Sequence, residues 1–166
     1  MKYVSHLFLC ACLSLSVLGF AGTAQGIDRN FVPIAGSIRS HKVNVRSGPG
    51  TRYPILWVYH LRGYPVKVMA KYLGWLKIRD IEGEEGWIYH TFFSPRKMAM
   101  VSPGDPVVMY ADREGRQKLL RLEAGVLTTV ERCVMGACEV KVEARTGWVA
   151  ANRLLRQQDG PDAVKP

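Results

Sequence analysis

Val43-Asn44-Val45-Arg46-Ser47-Gly48-Pro49-Gly50-Thr51-Arg52-Tyr53-Pro54 decides how the rest of this chain is read. Val43 and Val45 alternate with polar residues, the period of a strand with one dry face. The strand then runs into Ser-Gly-Pro-Gly. Pro49 fixes φ near the value a turn needs, and Gly48 and Gly50 are free to take positive φ, so the chain has to change direction here. Further alternating runs follow, Val66-Lys67-Val68-Met69-Ala70, then Gly74 to Arg79, then Gly86 to Tyr89. The connections Leu73-Gly74 and Ile81-Glu82-Gly83-Glu84-Glu85 have hairpin length. No apolar period of three and four is sustained between residues 43 and 93. The expectation is therefore all-β, a meander whose sheet curls into a barrel and so removes its exposed edges.

Asn44-Val45-Arg46-Ser47-Gly48-Pro49-Gly50-Thr51 resembles the opening strand and first loop of bacterial SH3 domains. Gly74-Trp75-Leu76-Lys77-Ile78-Arg79-Asp80 and Glu85-Gly86-Trp87-Ile88 resemble the third and fourth strands of that class, in the same order. The resemblance spans residues 40 to about 100. It implies a small five-stranded barrel and an accessory or binding role, and it names no ligand.

The second half repeats the plan. Ala124-Gly125-Val126 follows Arg62-Gly63-Tyr64 at an offset of 62, and Thr146-Gly147-Trp148-Val149 follows Glu85-Gly86-Trp87-Ile88 at 61. Two landmarks at nearly one offset indicate an internal repeat. The organisation expected is a signal peptide over 1–26, a lead-in over 27–39 and a first SH3-like barrel over 40–96. A linker over 97–105, a second SH3-like barrel over 106–156 and a disordered tail over 157–166 complete it. Gly48, Pro49, Gly50, Gly86, Trp87, Gly147 and Trp148 are assigned to structure. The second copy lacks the Ser-Gly-Pro-Gly loop, and Ala137 stands where related second domains often carry a Trp. The linker holds Met98, Met100 and Val101 in alternation, which would let it add a strand to either barrel.

Lys2, the apolar run from Val4 to Phe20 and the small residues Ala21-Gly22-Thr23-Ala24 describe a secretory signal peptide, cut near Ala24 or Gly26. The competing reading is an uncleaved anchor, for which the run is short and interrupted. The full chain carries a formal net charge of +9, and Lys2 is the one charge in residues 1–26, so +8 remains after cleavage. That excess favours polyanions. Export selects envelope polymers or lipid headgroups among them and sets nucleic acid aside, and no stable membrane anchor survives cleavage. The location expected is periplasmic or secreted. Of the four cysteines, Cys10 and Cys12 leave with the signal. Cys133 and Cys138, flanking Val134-Met135-Gly136-Ala137 in a predicted hairpin, read as a disulfide in an exported protein. Two free thiols or half a metal site are the alternatives.

Signals of catalysis are missing. His41, His60 and His90 have no metalloprotease spacing, and Ser47 sits in no Gly-x-Ser-x-Gly elbow. Asp80, Glu82, Glu84 and Glu85 cluster at a hairpin tip, where a solvated turn explains them better than a glycosidase pair. The Cys-His peptidase that often accompanies bacterial SH3 domains has no residues here to build it. Neither a cofactor nor a metal is expected, and the function expected is non-enzymatic binding. Too many large rings fall in the first copy for all to be buried. Tyr53, Trp57, Tyr59 and Trp75, with Arg46 and Arg52 beside them, are the candidate ligand-binding residues. Lys71 and Arg79 are further cations suited to carboxylates. The ligand implied by the resemblance is peptidoglycan or a wall peptide. The alternative is an adaptor that contacts an envelope protein, and a cell-wall hydrolase is a remote third reading.

Overall fold

The structure, a computed structural model, describes residues 31–158. The expected signal peptide with its cleavage point and the expected tail from 159 onward lie outside the described residues. Within them the chain is all-β, with two short 3-10 turns and no α-helix.

Seven strands build the first unit: β1 Ile34–Ile38, β2 Val43–Arg46, β3 Ile55–Tyr59, β4 Pro65–Tyr72, β5 Trp75–Asp80, β6 Glu85–Tyr89 and β7 Phe93–Ser94. They pair in the order β3-β2-β6-β5-β4-β1-β7, and every pairing is antiparallel. β2 to β6 supply the five strands that the resemblance implies, and β1 and β7 add two. β1 lies in the segment expected to be a lead-in without an element. No ladder joins the end strands β3 and β7, so the sheet curls without closing, and Ile55 and Leu56 remain exposed on the β3 edge. Alternation sets the inward face: Val43 and Val45 of β2, Leu76 and Ile78 of β5 and Ile88 of β6 meet Ile38, Tyr59, Val66 and Val68 in one core. Each fully buried aliphatic side chain there is worth roughly 1.5–3 kcal/mol of transfer free energy.

The second unit repeats this element for element: β8 Met98–Val101, β9 Val107–Tyr110, β10 Lys118–Leu122, β11 Leu127–Val134, β12 Ala137–Val142, β13 Arg145–Ala150 and β14 Leu154–Arg156. Its order, β10-β9-β13-β12-β11-β8-β14, is that of the first unit with every strand advanced by seven. Met98–Val101 is thus a full member of this sheet, pairing with β11 and β14, and no free linker spans 97–105. It is the counterpart of β1. Residues 95–97 alone join the two sheets. Nor is Gln157 part of a loose tail, since its Nε2 donates to the Arg79 and Asp80 carbonyls of the first unit.

The landmarks that revealed the repeat have physical causes. A Cβ on Gly86 would lie 2.3 Å from Val45 Cγ1, and one on Gly147 would lie 2.5 Å from the Tyr110 carbonyl, because β6 lies paired beside β2 and β13 beside β9. The conserved geometry extends to the hairpins. Leu73 and Gly74 have φ of 41° and 81°, and Met135 and Gly136 have 47° and 79°, the paired positive values of a two-residue type I′ turn. In the second hairpin Cys133 and Cys138 stand opposite each other and are joined, with S–S 2.02 Å.

Candidate functional site

Arg46, the last residue of β2, points off the dry face. Its Nη1 donates to the carbonyls of Thr51 at 3.0 Å and Tyr53 at 2.8 Å, and Ser47 N donates to Pro54 O at 3.0 Å. These bonds hold residues 47–54 against the sheet. Neither Gly48 nor Gly50 has positive φ, contrary to the sequence expectation. Gly48 is required for another reason: the Tyr53 ring lies on it, and a Cβ there would fall 2.5 Å from Tyr53 Cδ1. The Arg52 guanidinium covers that ring at 5.2 Å from its centroid. Arg46, Arg52 and Tyr53 therefore shape the loop, and of the three only Arg46 also lines the hollow beside it.

That hollow is a groove of about 670 Å³. Lys42, Asn44 and Arg46 form one wall, Gly50 and Thr51 of the loop close one end, and Trp75, Tyr89 and Phe92 supply its aromatic surface. Trp75 opens β5 and stands opposite Tyr89 at the end of β6, with ring centroids 5.5 Å apart and planes at 69°. Tyr89 is 41% exposed. A second hollow of about 380 Å³, lined by Ile34, Lys71, Leu73, Phe93 and others, also includes Trp75, so the indole is a ridge between two concavities. The larger groove has two cationic side chains, Lys42 and Arg46, and no carboxylate in its lining. Such a surface can stack a sugar or apolar face on its rings while a cation pairs with a carboxylate.

Other expected site residues fall elsewhere. Tyr59 is 8% exposed and belongs to the core, where its hydroxyl donates to Asp80 Oδ2 at 2.9 Å. Burial, reinforced by that bond to a carboxylate, pushes its phenol far above the ordinary value. Asp80 is the key to this corner: its Oδ1 accepts from Glu82 N and Glu84 N, which fixes the turn into β6. Asp80 is therefore a buried turn clamp. Trp57 packs on the same core, edge-on to Tyr59, with its Cη2 3.3 Å from where a Cβ on Gly86 would lie, and it lines neither hollow. Arg79 donates to Glu85 at 2.6 Å. Trp87, 8% exposed, is buried as expected of a structural residue, but the core partner from β6 is Ile88, and Val149 plays that part in the second unit.

Of the residues expected to bind a ligand, Arg46 and Trp75 line this groove, while Lys42, Tyr89 and Phe92, which line it too, were not among them. Counting back from the β5–β6 turn would have exposed Tyr89, since Arg79 faces Glu85, Lys77 faces Trp87 and Trp75 faces Tyr89. Among the described residues no group of three or more His, Cys, Asp or Glu is placed to hold a metal ion.

No curated protein matches the chain. The fold is similar to that of NlpC2 from Trichomonas vaginalis, with 13% identity and a TM-score of 0.35 over 75% of this chain and 48% of that one. It is also similar to NlpC1 from the same organism, with 14% identity and a TM-score of 0.34 over 87% and 51%. The chain spans about half the length of these two structures. Residues 39–94 match the family model described as bacterial SH3 domain, and they are the residues that carry the groove.

Proposed function

We propose that this is an exported, non-enzymatic binding protein whose first unit takes a carboxylate-bearing piece of the cell envelope, a wall peptide or peptide-linked glycan, in the groove beside Trp75. The observation that carries the reading is the pairing of an aromatic ridge, half-buried Trp75 with exposed Tyr89, with Lys42 and Arg46 in a groove lined by no carboxylate. The match of residues 39–94 to bacterial SH3 domains supports wall material as the source. Pelleting with purified sacculi tests it. The wild type is retained at low and at high salt, because ring stacking is not screened. Trp75→Ala weakens retention by about tenfold or more, as expected for an anchor residue, while its melting temperature stays close to wild type. Retention that vanishes with modest salt, or that survives Trp75→Ala, refutes the groove.

A second reading has its own observation. Ile55 and Leu56 are exposed on the unpaired β3 edge, the arrangement an added partner strand would use. An envelope-protein adaptor would then lose its partner on Leu56→Lys and keep it on Trp75→Ala.

A further inference from the structure

At the junction of the two units lies a hollow of about 400 Å³ that shares no residue with the groove. Arg39 and His41 follow β1, Arg62 and Gly63 come from the β3–β4 connection, and Arg96 and Met98 come from the passage into the second sheet. The units meet here. Ser37 Oγ donates to the Arg96 carbonyl at 3.0 Å, and Gly63 packs beside Met98 and Leu127.

Three guanidinium side chains line this hollow and no carboxylate does. Arg39, Arg62 and Arg96 are all exposed, and among the described residues none of them pairs with an acid. The adjoining hollow that shares Ser94 and Arg96 is different, because two carboxylates, Glu131 and Glu143, stand there against Arg96, Lys97 and Lys141. The cluster of cations with no carboxylate in its lining is therefore on one side of the junction. Three backbone donors of the basic hollow are already engaged: Arg39 N bonds to Phe92 O, Gly63 N to Ile38 O and Arg96 N to Ser94 Oγ. The guanidinium N–H groups, with the His41 imidazole beside them, are what the side chains offer a ligand. Such forks bind phosphate oxygens in pairs, and a polyanion among them relieves their mutual repulsion.

We propose that this junction is a second binding site, for a phosphate-bearing polyanion, separate from the aromatic groove and bridging the two units when filled. The chemistry is shared by soluble oligophosphates and phospholipid headgroups, and two probes distinguish them. Pyrophosphate binding is followed by calorimetry, and retention on phosphatidylglycerol vesicles by sedimentation, both near ~0.15 M salt so that diffuse attraction is screened. Arg39→Gln with Arg62→Gln removes two charges from the hollow. Lys118→Gln with Arg121→Gln removes two exposed charges from β10, which lines none of it. The first pair is expected to weaken binding about tenfold or more, the size of a lost charged hydrogen bond, and the second less than about twofold. Arg62→Gln alone, which touches no other side chain by a hydrogen bond or ion pair, carries the same test if the double variant folds poorly. Pyrophosphate binding without vesicle retention assigns a soluble phosphate, and both together assign a headgroup. Equal losses in the two double variants, or no binding of either probe, overturn the proposal.

Discussion

The two units share a strand order and differ in what they display. Trp75 faces Tyr89 across the β5–β6 ladder of the first, and at the same ladder position of the second Ala137 faces Ala150. Lys71 faces Leu76 in the first hairpin where Cys133 faces Cys138 in the second. The loop after β2 is held by the Arg46 side chain and the Tyr53 ring. The loop after β9 is held by Asp112, whose carboxylate accepts from Arg116 N and Gln117 N. Inward positions, by contrast, stay apolar in both cores. The two units agree in what their cores need and differ in what points outward, so one carries an aromatic groove and the other a covalent staple.

The sharpest way to break the parallel is at its tightest point. Gly147→Ala sets a Cβ against a backbone carbonyl that cannot turn aside, whereas Gly86→Ala meets first a valine methyl. Gly147→Ala should cost about 3 kcal/mol or more and Gly86→Ala somewhat less, in the range of overpacking, measured by urea unfolding. Cys133→Ser with Cys138→Ser removes the staple, and the chain-entropy estimate for so short a loop is about 2 kcal/mol. The loss should appear in the melting of the second unit, and reductant should reproduce it in the wild type. Tyr59→Phe strips a buried donor from Asp80, a contact with no counterpart in the second unit, where Leu122 and Val142 occupy the matching places. It should cost about 1–2 kcal/mol and leave sacculus retention unchanged.

The smallest effect is the pH signature of one carboxyl of the first unit. The Lys77 ammonium, at 2.6 Å, holds the Glu85 carboxyl below its ordinary value; burial pushes the other way less strongly, and the Arg79 guanidinium adds to the Lys77 effect. A depressed carboxyl contributes stability above its unfolded pKa, and that contribution fades as pH falls through the folded value. Glu85→Gln should therefore be less stable than wild type by about 0.5 kcal/mol at pH 7, with the gap closing in acid. A gap that widened in acid would reverse the assignment.

Strands with one wet face were legible: Val43–Arg46 and Trp75–Asp80 alternate in sequence and alternate in burial. β1 was not, because four of its five residues are buried and Gly36 and Ser37 interrupt the apolar pattern. Gly36 is there because the Phe93 ring and the Ser94 carbonyl lie against it, a neighbour 57 residues away that no local rule reveals. The same limit divides the site. Trp75 could be read from its place after a turn. Tyr59 could not be told from a ligand platform until Asp80, 21 residues on, was seen to take its proton donor.

The three residues 95–97 that separate Ser94 of β7 from Met98 of β8 have a mechanical consequence. A tether of that length reaches roughly 10 Å at full stretch, and Pro95 stiffens it. The tether keeps the two units close, and the bonds of Gln157 to Asp80 and of Ser37 to Arg96 hold one against the other. Whatever anchors the carboxy-terminal half thereby aims the Trp75 face, much as a bracket sets the angle of a lamp.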